Sequence, residues 1–244
     1  MKRYLVLTVL VAGAGLAGCS KPKPSPWQET MTQVSTYEAL QAGRYQGQVA
    51  VSNLLEYGDV GLGTYDRLDG EMVVVSGVVY QVAHTGVVSV APPDALTPFA
   101  CVTWFEPDLI FDVGPMNQKI FQQTLQWKNP APERIQALRI RGAFKRISLR
   151  SVPAQNEPFQ PLSEVVANQQ QVWDREGVRG TMVGFIMPHA LAGASPEGFH
   201  LHFISEDARV GGHVLDFDLA GGRIELDTTP AAHLLLPPSP APVP

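Results

Sequence analysis

The sequence predicts a β-rich fold of the mixed α/β class with a few helices. From residue 65 to residue 92, runs of β-branched side chains are separated by short turns that contain glycine. This pattern is typical of an antiparallel meander. Apolar and polar residues also alternate in residues 138–141 and 147–152, which predicts two more strands on either side of Gly142.

Three helices are predicted among these strands. Residues 35–42 begin on hydroxyl side chains suited to an N-cap and end at Gly43, a common helix terminator. Apolar residues recur at helical spacing in residues 115–126, and Pro130 ends that pattern. A third helix is predicted over residues 162–174. Further strands are predicted at residues 181–186, 200–204 and 214–219.

The first 18 residues have the features of a secretory signal peptide. A basic start is followed by an apolar stretch that is too short to span a bilayer comfortably. The segment closes on Leu16-Ala17-Gly18-Cys19, which resembles a bacterial lipobox. This resemblance implies that Cys19 is lipidated and becomes the new N-terminus. We therefore expect a secreted lipoprotein, anchored to a membrane of the bacterial cell envelope on its periplasmic face.

Proline-rich segments flank the central part of the chain. We interpret residues 19–34 as a tether and residues 229–244 as a tail, because proline favours extended chain and cannot donate a backbone hydrogen bond. Between them we expect two domains, an N-terminal β-meander domain over residues 35–132 and a C-terminal β domain over residues 133–228.

Charge and cysteine content exclude some functions. The formal net charge is −5 and the chain has no long basic cluster, so the electrostatic signature of a nucleic-acid-binding protein is missing. With Cys19 assigned to the anchor, the other cysteine is Cys101, and no intramolecular disulfide can form. Cys101 stands in an apolar run, where it is expected to fill the core.

Three histidines near the C-terminal end form a candidate metal site. His200 and His202 stand two residues apart in a predicted strand, so their side chains share one face. At a rise of ~3.3 Å per residue the two Cα atoms lie roughly 6.6 Å apart, close enough to share one ion. If residues 205–212 form a hairpin loop, His213 returns beside the pair. Three neutral imidazoles leave a fourth position open, as in catalytic zinc sites.

The histidines of this chain also have other interpretations. An isolated histidine on a strand is usually an ordinary core or surface residue, which is how we interpret His84, His189 and His233. The spacing from His200 through His202 to Glu206 also approximates the first motif of cupins. That motif requires a second one downstream with a glycine turn, and the segment around His233 has no such turn.

Several ordered motifs resemble those of the alpha-acetolactate decarboxylase family. The similarity runs from about residue 35 to about residue 226. The motifs are GDVGLGTY at residues 58–65, LDGEM at 68–72, TPFA at 97–100, RSVPAQ at 150–155, GTMVGF at 180–185, HLHFI at 200–204 and GGH at 211–213.

The resemblance implies an enzyme that converts 2-acetolactate, a 2-hydroxy-3-oxo acid, to acetoin and carbon dioxide. It implies Zn²⁺ on His200, His202 and His213, with the metal between two β-sheet domains. It also implies that two copies of the chain often form a homodimer. Residues 133–228 then become a metal-binding domain. The family pattern also implies catalytic roles for Glu71 and Arg150, and a place for Thr64 in the wall of the substrate pocket.

The chemistry of these residue types agrees with that reaction. Loss of carbon dioxide from a β-keto acid leaves an enolate, and a dication stabilises the developing charge. A guanidinium matches the two oxygens of a carboxylate, which suits Arg150. A carboxylic acid can protonate the carbon that loses its substituent, which is the role expected for Glu71. By alternation alone, other arginines compete with Arg150, namely Arg139, Arg141 and Arg146.

One departure from the family pattern leaves an alternative open. The family commonly has a second glutamate in its C-terminal tail, whereas no acidic residue follows Asp227 here. Glu225 is one candidate substitute. The departure supports a metal-binding or ligand-binding lipoprotein without turnover on the same scaffold, while the second alternative, a cupin-like metalloenzyme, rests on the histidine spacing given above.

Overall fold

The computed structural model describes residues 26–129 and 131–236. The predicted signal peptide, Cys19 and most of the predicted tether and tail lie outside these residues. The described part of the chain is rich in strands and has few helices, so the predicted fold class is confirmed. No helix within it is long and apolar enough to cross a membrane.

The strands and helices of the described residues follow in chain order. The strands are β1 (Thr30–Val34), β2 (Val49–Ala50), β3 (Val60–Thr64), β4 (Glu71–Val75), β5 (Val78–Val82), β6 (Val88–Val90), β7 (Leu96–Thr97), β8 (Ala100–Thr103), β9 (Leu109–Val113), β10 (Met116–Asn117), β11 (Ile135–Ser151), β12 (Gln171–Met187), β13 (Gly198–Ser205), β14 (Gly211–Thr229) and β15 (Ala231–Leu235). The α-helices are α1 (Tyr37–Gln41), α2 (Val51–Leu54), α3 (Gln118–Lys128) and α4 (Leu162–Gln169). Short 3₁₀ turns cover Asp66–Leu68 and His189–Leu191.

Two large sheets organise these strands. The first has seven strands in the order β15-β1-β8-β3-β4-β5-β6. The second has the order β10-β14-β11-β12-β13, with β9 also paired to β14, and an additional pairing of β13 with β14 closes it on itself. Their facing sides bury one apolar core, which includes Val73 and Leu62 of the first sheet and Val183 of the second. A second core lies between the closed sheet and α3.

The predicted meander is confirmed in β4, β5 and β6. Residues Ser76 and Gly77 connect β4 to β5, and both have positive φ, 51° and 77°. A two-residue turn of this kind has the twist that joins adjacent antiparallel strands, and glycine adopts it without steric cost. Val75 therefore pairs with Val78, as the first pair beside the turn.

The helix predictions are confirmed for α1 and α3, and the third one is too long. Thr36 caps α1 by accepting a hydrogen bond from the Ala39 amide at 3.1 Å. Helix α4 ends at Gln169, because the chain from Gln171 onward pairs along β11 as strand β12. Cross-strand pairing outweighs the local helical pattern there.

Gly142 does not separate two strands, as the sequence had indicated, but lies inside the single long strand β11. It pairs with Gly180 on one side and Gly222 on the other. A Cβ atom at Gly142 would lie 2.7 Å from the Gly221 carbonyl oxygen, so the glycine permits a close approach of backbones rather than a turn.

The predicted tether and tail are too long at their inner ends. Residues 30–34 form β1, which pairs antiparallel with β8 and parallel with β15. Its side chains Met31 and Val34 are buried, and the five-residue segment contains no proline. Pro230 separates β14 from β15, so the proline there ends one strand rather than starting an unpacked tail. Cys101 is buried and free, as expected.

Candidate metal centre and substrate pocket

The three predicted ligands converge at one end of the closed sheet. His202 on β13 is directly opposite His213 on β14, and the intervening loop is the hairpin that the sequence predicts. His200 shares a strand face with His202. One nitrogen from each imidazole lies within 4.8 Å of those of the other two, so the three residues form a histidine cluster that could hold one metal ion.

The hydrogen bond of His202 shows which of its nitrogens faces the cluster. Its Nδ1 lies 2.7 Å from the backbone carbonyl oxygen of Met72, so Nδ1 carries the hydrogen and donates it. The Nε2 atom is then a free acceptor, and it lies 3.2 Å from Nδ1 of His213. Two nitrogens on one tetrahedral zinc at ~2.1 Å are separated by about 3.4 Å, so these residues fit a zinc ion.

Burial keeps the cluster uncharged. Burial lowers the pKa of His200 to about 3, and the nearby Arg150 guanidinium acts in the same direction. Burial also lowers the pKa values of His202 and His213 well below the usual value. Neutral imidazoles are the form that binds metal, so the cluster is ready to accept a cation at neutral pH without releasing protons.

Strand register brings Arg150 to the same face. Arg150 on β11 is opposite His213 on β14, and His213 is opposite His202 on β13, so the three residues form one row across three adjacent strands. A cross-strand row of this kind places side chains about 5 Å apart on one face. The competing arginines of β11 are engaged elsewhere, Arg139 and Arg141 with Glu225 and Arg146 with Asp216.

The first sheet contributes the carboxyl group of Glu71 to this site. Glu71 is the first residue of β4 and is opposite Thr64 on β3. One carboxylate oxygen of Glu71 lies 3.2 Å from Nη1 of Arg150, and the other lies 3.4 Å from Nε2 of His202. Burial raises the pKa of Glu71 to about 7, although the Arg150 charge opposes this shift. Thr64 donates its hydroxyl hydrogen to the Gly70 carbonyl oxygen at 2.7 Å.

These groups surround a cavity of about 270 Å³. All six residues that the sequence singled out in the described part of the chain line it. The polar part of its lining is the histidine cluster with Glu71, Arg150 and Thr64. The rest of the lining, here called the apolar side, is formed largely by side chains that had no predicted role, namely Tyr37, Leu40, Leu68, Phe99, Val152, Leu162, Pro196 and Phe199.

Comparison with known proteins agrees with this site. The model of the family described as "Alpha-acetolactate decarboxylase" matches residues 31–241. The chain therefore belongs to the alpha-acetolactate decarboxylase family. An alpha-acetolactate decarboxylase from Methanosarcina mazei is 38% identical over 212 residues, which cover 86% of this chain and 73% of that protein. One from Brevibacillus brevis is 37% identical over 216 residues, which cover 85% and 74% of the two chains.

Solved structures of the family have the same fold. The alpha-acetolactate decarboxylase of Bacillus subtilis strain 168 superposes with a TM-score of 0.84 at 33% identity, over 86% of this chain and 90% of that one. A Staphylococcus aureus protein, described as similar to alpha-acetolactate decarboxylase, gives a TM-score of 0.83 at 28% identity, over 85% and 89% of the two chains. The chain is thus an enzyme of this family.

Within the described residues, Glu225 does not replace the missing tail glutamate of the family. Its carboxylate accepts a hydrogen bond from Nε of Arg139 at 2.6 Å, and it does not line the cavity. The cupin-like alternative is also not supported, because Glu206 is exposed in the hairpin loop, where it pairs with Arg179 at 3.3 Å. His233 stacks on Trp27, away from the cluster.

Proposed function

We propose that this chain is a zinc-dependent decarboxylase that converts 2-acetolactate to acetoin and carbon dioxide. The observation that carries the proposal is the meeting of three neutral histidines, a buried arginine and a buried glutamate around one small cavity. The cavity volume of about 270 Å³ suits a small organic acid better than a polymer. The similar proteins from Methanosarcina mazei and Brevibacillus brevis are described as alpha-acetolactate decarboxylases, which supports 2-acetolactate as the substrate.

His200, His202 and His213 would hold the zinc ion. Once bound, zinc would supply Lewis-acid stabilisation of the negative charge that develops on the substrate oxygens as carbon dioxide leaves. The Met72 carbonyl fixes the orientation of His202 and so keeps its Nε2 directed at the cluster.

Arg150 is placed to bind the substrate carboxylate. Its side chain is mostly buried, and its planar guanidinium can donate two parallel hydrogen bonds to the two carboxylate oxygens. Since Arg150 and Glu71 are already in contact, a carboxylate bound at Arg150 brings the scissile bond next to the Glu71 carboxyl group. We therefore propose that Arg150 binds the carboxylate and that Glu71 delivers the proton.

Glu71 would protonate the carbon from which carbon dioxide has left. Burial of its carboxyl group favours the neutral acid, which is the form that can donate a proton. Because Glu71 approaches from the first sheet and the histidine cluster from the second, the proton arrives on a fixed face of the planar intermediate. A single handedness of acetoin is the expected result.

The test is acetoin release from racemic acetolactate by the zinc-loaded protein, with the handedness of the product recorded. Glu71→Gln should keep its zinc and lose activity by about 10²-fold or more, the usual contribution of a positioned proton donor. Glu225→Gln is the matched control, because Glu225 is also buried but lies outside the cavity. Wild-type protein that retains zinc but makes no acetoin above the spontaneous background would overturn the proposal.

A binding protein without turnover, the alternative that the sequence left open, is not favoured, because the chain belongs to a family of decarboxylases. Arg139 engages Glu225 outside the cavity, so the assay also tests whether turnover needs a second acid. A protein without turnover would bind the acid at Arg150 and release no carbon dioxide. Calorimetric titration with the product acetoin and with a stable 2-hydroxy acid, run beside the activity assay, separates the two candidates.

We also propose that Cys19 carries a lipid anchor on the periplasmic face of the cell envelope. The support is the sequence Leu16-Ala17-Gly18-Cys19 after a basic start and a short apolar stretch. Cys19→Ser should move the protein from the membrane fraction to the soluble fraction. An unchanged membrane fraction would remove this proposal. The homodimer implied by the family stays a prediction that light scattering can test.

A further inference from the structure

One loop contributes to the apolar side of the cavity. Residues 188–197, here called the 188–197 loop, connect β12 to β13. Pro196 of this loop lines the cavity, and Phe199 and His200 follow it in β13. Tyr37 and Leu40 of α1 line the same cavity. The positions of α1 and of the loop therefore contribute to how much space the apolar side leaves.

Two backbone hydrogen bonds join the loop to α1. The Tyr37 amide donates to the Ala194 carbonyl oxygen at 2.7 Å, and the Glu38 amide donates to the Gly193 carbonyl oxygen at 3.0 Å. Both bonds occupy amides at the start of α1, which have no partner inside the helix. The loop is thereby attached to α1 at Gly193 and Ala194, and Leu191 packs against the core beside it.

Gln33 of β1 supplies a further attachment. Its side-chain amide donates to the carbonyl oxygens of Ser35 and Ala194, each at 2.7 Å. Its Oε1 accepts hydrogen bonds from the Ser195 hydroxyl and, at 3.4 Å, from the Cys101 thiol. Gln33 thus connects two successive residues of the loop to β1 and to the neighbouring strand β8.

The burial of Gln33 needs an explanation. Only 2% of its surface is exposed, and it does not line the cavity. An amide is costly to bury unless every donor and acceptor is paired, and apolar residues fill a core at no such cost. All of its hydrogen-bonding groups are paired with the loop or with the strands beside it, so its position is determined by what it holds in place.

We propose that Gln33 is a positioning residue that fixes the 188–197 loop against α1 and thereby sets the width of the apolar side of the cavity. Through that width it selects 2-hydroxy-3-oxo acids by the size of their alkyl substituents. This inference rests on the proposed decarboxylase function, because it concerns how the same cavity chooses its substrate.

The experiment is a competition between acetolactate and its homologue that has an ethyl group in place of the methyl group on the hydroxyl-bearing carbon. The ratio of the two kcat/KM values does not depend on how much of the protein is folded or loaded with zinc. Gln33→Leu should shift this ratio toward the ethyl homologue by about three-fold or more, since one methylene in a tight pocket changes selectivity by roughly ten-fold or more.

Gln136→Leu is the matched control. Gln136 is also a fully buried glutamine, hydrogen-bonded to the Ala131 carbonyl oxygen at 3.2 Å and to the Thr228 hydroxyl at 3.1 Å, and it lies outside the cavity. Its replacement should lower stability and leave the ratio of the two kcat/KM values unchanged. An equal ratio in wild type, Gln33→Leu and Gln136→Leu would overturn the inference. If Gln33→Leu fails to fold, Ser195→Ala removes one of the same bonds and should shift the ratio in the same direction.

Limited proteolysis gives a readout that does not need turnover. Chymotrypsin cleavage after Leu191, inside the 188–197 loop, should be faster in Gln33→Leu than in Gln136→Leu at equal global stability. No product from either substrate, with this difference in cleavage present, would mean that the proposed reaction is wrong while the structural role of Gln33 stands. If product forms but neither the selectivity nor the cleavage rate changes, the proposed reaction stands and the proposed role of Gln33 is wrong.

Discussion

The ion pair between Arg150 and Glu71 allows a quantitative prediction. Their closest atoms are 3.2 Å apart, and only 15% and 8% of the two side chains are exposed. At an effective dielectric constant of about 20, two charges at this separation attract by about 5 kcal/mol. Even so, the pKa of Glu71 is raised from 4.5 to about 7, because burial destabilises the carboxylate more than the Arg150 charge stabilises it.

Removal of Arg150 should therefore change how stability depends on pH. Without the guanidinium, the pKa of Glu71 rises further, and the carboxyl group stays protonated in the folded protein above pH 7. In wild type the same group ionises near pH 7, and in the unfolded chain it ionises near 4.5. Above pH 7 the folded Arg150→Ala protein then binds one more proton than its unfolded chain. Its stability therefore falls by about 1.4 kcal/mol per pH unit. In wild type, the contribution of Glu71 to stability no longer changes above pH 7.

Urea unfolding at pH 6, 7, 8 and 9 measures the effect. The protein is stripped of metal by a chelator first, because a bound cation would add its own charge to the site. At pH 6 the penalty of Arg150→Ala should be smallest. The double variant Arg150→Ala/Glu71→Gln is the control, since it lacks the Glu71 carboxyl group and should lose the extra slope. Parallel pH profiles for wild type and Arg150→Ala would refute the reasoning.

Three further predictions follow from separate features. Replacing any member of the histidine cluster by alanine should abolish stoichiometric zinc in metal analysis, whereas His189→Ala, on an exposed side chain, should keep it. Gly212→Ala should lower both stability, by about 1 to 3 kcal/mol, and zinc affinity, because φ is 137° and a Cβ would lie 2.8 Å from the Arg150 carbonyl oxygen. Gly177→Ala, with φ at 63° and no atom within 4 Å, should keep its zinc. Burial raises the pKa of Asp227 from 3.8 to about 7, so the folded form loses stability as pH rises between these values. Asp227→Asn should therefore stabilise the protein at pH 8 and change its stability very little at pH 4, as measured by urea unfolding.

Local sequence patterns predicted those features whose causes are local. The turn between β4 and β5 depends on Ser76 and Gly77 alone, and the hairpin that returns His213 to His202 depends on a short loop and a strand period of two. Such features need no knowledge of distant residues. The convergence of the three histidines was predictable for the same reason.

Errors occurred where distant strands decide the outcome. Gly142 has the composition signal of a turn, but two neighbouring strands that also carry glycines make it a close-packing site. The segment after Gln169 has a helical pattern, but β11 offers it a full set of backbone partners. Residues 30–34 look like part of a linker until β8 and β15 are present to pair with them. Each of these choices depends on contacts that a single sequence does not contain.

Gln33 could not be found from the sequence for a related reason. A glutamine in a short segment of mixed polar and apolar residues has no distinctive signal, because its partners at positions 194 and 195 lie far along the chain. The roles proposed for Glu71 and Arg150 likewise came from the family resemblance. Their separation by 79 positions hides the contact that makes them a pair.

Two successive residues of strand β4 contact the cavity and the histidine cluster. Glu71 points its side chain into the cavity, and the next residue, Met72, turns its carbonyl oxygen toward Nδ1 of His202. Because successive side chains of a strand alternate between its faces, a slip of β4 by one residue would withdraw the carboxyl group and the carbonyl oxygen at the same time. The position of the Glu71 carboxyl group relative to His202 is therefore set by the register of the backbone. The Asp69-Gly70 turn leads into β4, and a Cβ at Gly70 would lie 2.4 Å from the Val82 carbonyl oxygen, so this turn needs glycine. A turn outside the cavity thus contributes to where the Glu71 carboxyl group lies relative to the histidine cluster.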